Sequence, residues 1–176
     1  MKDIRGGPII FAANHLSFAD GPLSGASVPK RFLPVHFLAA ELFFHRLKYF
    51  PVAVYLWLNG CLEVKKEPHG NLPVILSEAV ENLKAGHTVW IFPEGKRSLD
   101  GKLQSGRRGA AFLHQETGAP IVPVAISGTY RFFSFKKIIH RSYVTLAFGR
   151  PIINLEGGNL DEKTASLMSK IKEMLE

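Results

Sequence analysis

Apolar residues in this chain fall into short unbroken runs, and stretches with helical spacing lie between them. The first run, residues 8–12, reads as a buried strand. Residues 31–39 are also apolar but contain Pro34, which predicts a short or edge strand. Residues 41–48 are helix-compatible, with Leu42, Phe43 and Leu47 on one side. Pro51 opens another apolar element over 52–58, closed by Asn59-Gly60. Residues 62–64 are strand-like. An amphipathic helix follows over 71–85, where Leu72, Leu76, Ala79, Val80 and Leu83 recur at helical spacing and Gly86 is the stop. Residues 88–92 form the strongest strand signal, ended by Pro93. Residues 107–117 predict a helix with Ala110, Ala111, Phe112 and Leu113 as its packing face and Gly118 after it. Residues 121–126 are a buried-type strand whose Pro123 marks an edge or a bulge, and 143–148 are a further strand. Asn159-Leu160-Asp161-Glu162 has the form of a capping box opening a last helix, with Leu160, Leu167, Ile171 and Met174 on its inner side.

Strands alternating with helices predict an α/β domain, a mostly parallel central sheet flanked by helices. With 176 residues and no internal repeat or linker, the expectation is one domain over 1–176. Such a chain buries a sizeable core without disulfides or metals. Its single cysteine, Cys61, excludes a disulfide framework and a thiolate zinc cluster, and fits a reducing compartment. No apolar run approaches the roughly 20 residues of a membrane span, and the N-terminus runs directly into the first strand without a signal peptide. The chain is therefore not expected to cross a membrane by itself. Lys+Arg exceed Asp+Glu by 22 to 15, a formal charge of +7. That balance favours anionic partners: a lipid surface, a phosphorylated substrate or nucleic acid. No nucleic-acid-binding motif or compact basic helix accompanies it, so nucleic acid is not expected.

Two stretches carry candidate chemistry. Residues 13–22 (Ala-Asn-His-Leu-Ser-Phe-Ala-Asp-Gly-Pro) connect the first strand to a helix that Gly21-Pro22 would open. His15 and Asp20, five residues apart, would lie about 140° apart on a regular helix, so they meet only if the chain between them bends. A histidine held by a carboxylate is an oriented general base. The plainer alternative makes Asp20 a helix cap and His15 a polar strand end. The strand at 88–92 delivers Pro93-Glu94-Gly95-Lys96-Arg97-Ser98 into a second loop. In open α/β sheets ligands gather outside the carboxyl ends of strands, where His15 also belongs. Gly95 permits close backbone approach and Arg97 offers a planar fork suited to phosphate. The plainer alternative here is a solvated surface turn. The remaining histidines (His36, His45, His69, His87, His114 and His140) show no metal-binding spacing, so no metal is expected.

Taken together, Asn14-His15-x-Ser17-x-x-Asp20 and Phe92-Pro93-Glu94-Gly95-x-Arg97-Ser98 resemble the glycerolipid acyltransferase family, the lysophosphatidic acid acyltransferases and their relatives. Two more blocks agree in order: Gly60 followed six residues on by Lys66, and a hydrophobic strand carrying Val122-Pro123-Val124 before Ser127-Gly128. Asp100-Gly101-Lys102-Leu103 and Arg108-Gly109-Ala110 match the family's connecting segment. The resemblance spans about 8–128, leaving 129–176 as a C-terminal strand and helix. It departs at Lys66, where an arginine is usual, at Ala40, where a lysine often precedes Glu-Leu-Phe, and at Lys96, which replaces a common threonine. The family's usual N-terminal hydrophobic segment also has no counterpart before the first strand.

The resemblance implies a glycerol-phosphate acyltransferase-like fold and transfer of a fatty acyl group from a thioester, acyl-CoA or acyl-carrier protein, to a hydroxyl of a lysophospholipid. No other cofactor is implied. His15 is then the general base and Asp20 its orienting partner; Glu94, Gly95 and Arg97 form the substrate-binding loop, Arg97 holding the glycerol-phosphate end while Glu94 and Gly95 shape the loop, and Lys66 adds charge there. An acceptor without phosphate, or a non-catalytic lipid-binding module on the same fold, is the alternative. No Gly-x-Ser-x-Gly elbow is present, so the acceptor is expected to attack directly. Aromatics beside Arg46 and Lys48 over 43–57, and interleaved with charge over 131–137, suit a peripheral seat on an anionic membrane surface, the inner face reached from the cytoplasm.

Overall fold

The computed structural model describes residues 7–40, 60–64, 70–130 and 143–176. The helices expected over 41–48 and 52–58, the basic aromatic stretch over 131–137 and Lys66 lie outside these described residues.

Six strands among the described residues build one sheet: β1 (Ile10–Ala13), β2 (Val35–Ala40), β3 (Leu62–Val64), β4 (Thr88–Ile91), β5 (Ile121–Ser127) and β6 (Thr145–Phe148). Their order is β3-β2-β4-β1-β5-β6. All neighbours are parallel except β5 and β6, which are antiparallel. This is the expected α/β fold with a mostly parallel sheet. β1 lies inside, with Ala12 opposite Ile91 of β4 and Pro123 of β5. All four of its residues are fully buried, because a strand inside a parallel sheet has both faces covered.

Alternation along the strands feeds two cores. Ile10 and Ala12 face one side with Val89 and Ile91. That side is covered by α2 (Leu72–Ile75), α3 (Ser77–Lys84), α4 (Gly109–Thr117) and α5 (Leu160–Glu173). Ile9, Phe11 and Ala13 face the other side with Trp90, Val122 and Val124. There α1 (Asp20–Ser27) leads through Val28 to a short 3₁₀ turn (Lys30–Phe32). Phe11 stacks on Trp90 with ring centroids 5.2 Å apart and meets Phe32 edge-on at 6.0 Å. Aromatics of this size dominate what a small core contributes.

Some expectations change. The segment 31–39 holds the short strand, not the edge, of the two readings: β2 lies between β3 and β4, and Pro34 precedes its first residue, so the ladder loses no N–H. β5 is no edge either, but the expected bulge is present. Beyond the pair Val124–Phe148 the ladder resumes as the Ile121–Ile152 bridge, with one more residue on the outer chain than on β5. Pro123 sits opposite that irregularity, and its carbonyl accepts the Gly149 N–H at 2.8 Å. The single helix expected over 71–85 is two, α2 and α3, meeting at Leu76. There the Ser77 hydroxyl donates to the Val74 carbonyl at 3.2 Å, taking an acceptor the next helical turn would use.

Candidate active site

The site begins where β1 ends. Asn14 is almost fully buried, and its side chain both donates to the Ile126 carbonyl (2.9 Å) and accepts the Ile126 N–H (2.7 Å). The amide thus extends the β1–β5 pairing one residue past the strand and sets where His15 leaves the sheet. Residues 15–19 then fold around one carboxylate oxygen. Asp20 Oδ2 accepts the backbone N–H groups of Leu16 (2.6 Å) and Ser17 (2.7 Å) and lies 2.8 Å from His15 Nδ1. This bend removes the angular separation that a regular helix would impose. Asp20 is also the first residue of α1, where a negative charge is favoured by the helix dipole. The Asp20 side chain is wholly buried, while the His15 side chain is 19% exposed.

The loop after β4 grips the same histidine. Glu94 is buried, its Oε1 accepting the His15 N–H at 2.7 Å and its Oε2 accepting the Gln104 N–H at 2.9 Å. Ser98 N–H donates to the His15 carbonyl at 2.8 Å. Both backbone polar groups of His15 are therefore fixed by one loop, its side chain by the other. The imidazole lies flat against Phe92, with centroids 4.1 Å apart and 16° between planes. Gly95 turns this loop at φ +66°, and a Cβ there would come within 2.8 Å of the Arg107 side chain that packs over it. The left-handed backbone strains any larger residue here, and Arg107 would have to shift to admit one.

Burial opposes ionisation of Asp20, yet the hydrogen bonds from His15 and the Ser17 and Leu16 N–H groups, with the Thr129 side chain acting in the same direction, outweigh it and hold its carboxyl below the usual range. Glu94 goes the other way: burial pushes it up, and its two backbone donors compensate only in part. One carboxylate is thus held charged beside the imidazole. With Nδ1 donating to Asp20, a neutral His15 has its lone pair on Nε2. Such a group takes a proton from a hydroxyl brought to it. Cys61 is unsuited to attack, since burial pushes its thiol up to about 11.

Of the residues singled out from sequence, His15, Asp20, Glu94, Gly95 and Arg97 converge at the carboxyl ends of β1 and β4. Within that group Glu94 has both oxygens engaged by backbone donors, so its contacts are with the loops themselves. Arg97 extends over the Phe18 ring, 3.6 Å from its centroid. Beside it a cleft of about 230 Å³ is lined by Lys96, Arg97, Leu99, Asp100 and Gln104. A larger depression of about 460 Å³ against the bulge opposite Pro123 and α5 includes none of the His15 cluster. Sequence reasoning missed the stacking role of Phe92, the Gln104 and Ser98 N–H ties, Arg107 over Gly95, and Thr129. Phe92 and Ser98 stood inside the motif; nothing local marks the others. Among the described residues no group of three or more His, Cys, Asp or Glu side chains is placed to hold a metal.

A family model described as Acyltransferase matches residues 2–127. The chloroplastic 1-acyl-sn-glycerol-3-phosphate acyltransferase LPAT1 of Arabidopsis thaliana is 28% identical over 174 residues, covering 96% of this chain and 45% of that protein. The 1-acyl-sn-glycerol-3-phosphate acyltransferase of Saccharomyces cerevisiae is 30% identical over 150 residues, covering 82% of this chain and 47% of that one. In three dimensions the chain is similar to the crystal structure of the 1-acyl-sn-glycerophosphate (LPA) acyltransferase PlsC from Thermotoga maritima. That match has a TM-score of 0.71 and 27% identity, over 98% of this chain and 66% of that one. The chain spans about half the length of the two sequence relatives. With a family model matched over residues 2–127, most of its length, the chain belongs to the acyltransferase family.

Proposed function

We propose that the protein transfers a fatty acyl group from an acyl thioester, acyl-CoA or acyl-carrier protein, to the free hydroxyl of 1-acyl-glycerol-3-phosphate, a step of phospholipid biosynthesis. The observation that carries this reading is the His15 Nδ1–Asp20 Oδ2 contact of 2.8 Å, which leaves Nε2 as the basic atom of a partly exposed ring. The names of the relatives supply the substrate class. In this reading the acceptor hydroxyl gives its proton to His15 Nε2 as its oxygen attacks the thioester carbonyl. The tetrahedral adduct then expels the thiolate, which takes the proton back from the imidazolium. Products are the diacyl ester and a free thiol. Asp20 stays ionised throughout and stabilises the charged ring. Phe92 keeps the ring from rotating out of line.

Arg97, with Lys96 beside it on the cleft, is the group for the acceptor's phosphate, and Lys66 is proposed to add charge to the same anion. Phe18, Leu99 and Tyr143 are exposed, Leu99 at 90%, and the first two adjoin the basic loop. They support a peripheral seat on an anionic bilayer, on its inner face. No helix among the described residues is long and apolar enough to cross a membrane. A thiol-release assay with acyl-CoA or acyl-carrier protein against a panel of lysolipids tests the assignment: turnover is expected with 1-acyl-glycerol-3-phosphate, and thioester cleavage only toward water would overturn it. Arg97→Ala is expected to raise the apparent KM for that acceptor roughly ten- to a hundredfold, the range of a lost charge-assisted contact. An unchanged KM would remove Arg97 from phosphate recognition and point to a phosphate-free acceptor.

A further inference from the structure

The donors around Asp20 are unevenly shared. His15 Nδ1, Leu16 N–H and Ser17 N–H all converge on Oδ2. Oδ1 of the same buried carboxylate has no close hydrogen-bond partner, although its charge is shared equally between the two oxygens. Thr129 shows the complementary defect: it is fully buried, and its hydroxyl is likewise unpartnered at close range. A buried ionised oxygen and a buried unused donor are each costly, and a donor–acceptor pairing resolves both.

The fold brings the two together from opposite ends of the sequence. Asn14 binds Ile126 through two hydrogen bonds, so the loop carrying Asp20 and the end of β5 leave the sheet side by side. β5 then turns at Gly128, φ +83°, where a Cβ would lie 2.0 Å from the Tyr143 carbonyl oxygen. Only glycine permits that turn, and it directs Thr129 inward. Next in line, the Tyr130 hydroxyl donates to the Leu99 carbonyl at 2.8 Å and anchors the segment to the loop after β4.

We propose that Thr129 is a positioning residue for the His15–Asp20 pair, its hydroxyl serving as the donor to Asp20 Oδ1. Held at both oxygens, the carboxylate keeps Oδ2 on His15 Nδ1 while the imidazole gains and loses its proton. This rests on the acyl-transfer reading of His15 and Asp20 but reaches a residue outside the motifs that suggested it. The titratable groups facing Asp20 are His15 from its own loop and Glu94 from the loop after β4, and neither reaches Oδ1.

Thr129→Val keeps the shape and deletes the hydroxyl; Thr129→Ser keeps the hydroxyl and deletes a methyl. The valine variant is expected to lose roughly tenfold in kcat with KM for donor and acceptor unchanged. Its Asp20 carboxyl, followed by carbon-13 NMR, is expected to titrate at higher pH than in the wild type, and the serine variant to restore both readouts. Wild-type kcat and Asp20 titration in the valine variant overturn the proposal, as does a loss in the serine variant that valine does not share, the signature of packing alone. The titration needs no turnover. A wild-type protein without acyl transfer whose Asp20 still responds to valine and not to serine would leave the pairing standing and overturn the proposed reaction instead.

Discussion

A single oxygen, Asp20 Oδ2, decides the geometry of the site, because it gathers two backbone N–H groups and the imidazole of a residue five positions earlier. His15→Ala removes the base while leaving those backbone bonds in place. It is expected to lower kcat roughly 10²–10⁴-fold with little change in melting temperature; wild-type turnover in the purified variant would remove His15 from the mechanism. Glu94 acts at the same scale by a different route. Both its oxygens accept backbone N–H groups, and Glu94→Gln must turn an amide NH₂ toward one of them. The expected cost is about 1–3 kcal/mol in urea unfolding, the range for a buried donor left unmatched, with a fall in kcat because His15 N–H loses its anchor. A variant as stable as the wild type but with a raised KM for the acceptor would return Glu94 to direct substrate contact. That Glu94 shapes its loop was read from the motif; that it does so by accepting the His15 and Gln104 N–H groups was not legible in the sequence.

Among the elements, α5 shows what local sequence specifies unaided. Asn159 accepts the N–H groups of Asp161 and Glu162 at 3.0 and 2.9 Å, and the Glu162 side chain accepts from Asn159 and Gly158, a capping arrangement written into five consecutive residues. Asn159→Ala is expected to cost about 1 kcal/mol, measured by chemical denaturation, and an unchanged midpoint would mean that packing alone starts the helix. Leu167 and Ile171, read from periodicity as its inner face, are fully buried. The break between α2 and α3 went unread because one serine hydroxyl competing for one carbonyl leaves the hydrophobic period intact. The interior place of β2 was misread for a related reason. A proline argues against an inside strand only when its missing N–H faces a partner, and which neighbours a strand has is not a local property.

For the molecule as a whole, the two buried carboxylates at the site set opposing pH dependences. Asp20 is held below the usual range, so its ionised form contributes stability above the ordinary carboxylate pKa of about 3.9, lost as pH falls through its lowered value. Glu94 is pushed up, so its contribution is present at low pH and lost as pH rises through its raised value. Asp20→Asn keeps an acceptor for Leu16 and Ser17 but removes the charge. The stability gap between wild type and this variant is expected to be open at neutral pH and to narrow below about pH 4; a gap independent of pH would mean that Asp20 acts by shape alone. The chain alone determined its element types, the alternation that makes a mostly parallel sheet, and the two loops that carry chemistry, because periodicity, capping residues and motif spacing act over a few residues. Only the tertiary structure decided that His15 Nδ1 faces Asp20 and that Glu94 grips the backbone of His15. Those contacts join residues up to 79 positions apart, from His15 to Glu94. What brings them together is the order β4-β1-β5, with Asn14 fastening the end of one strand to the next.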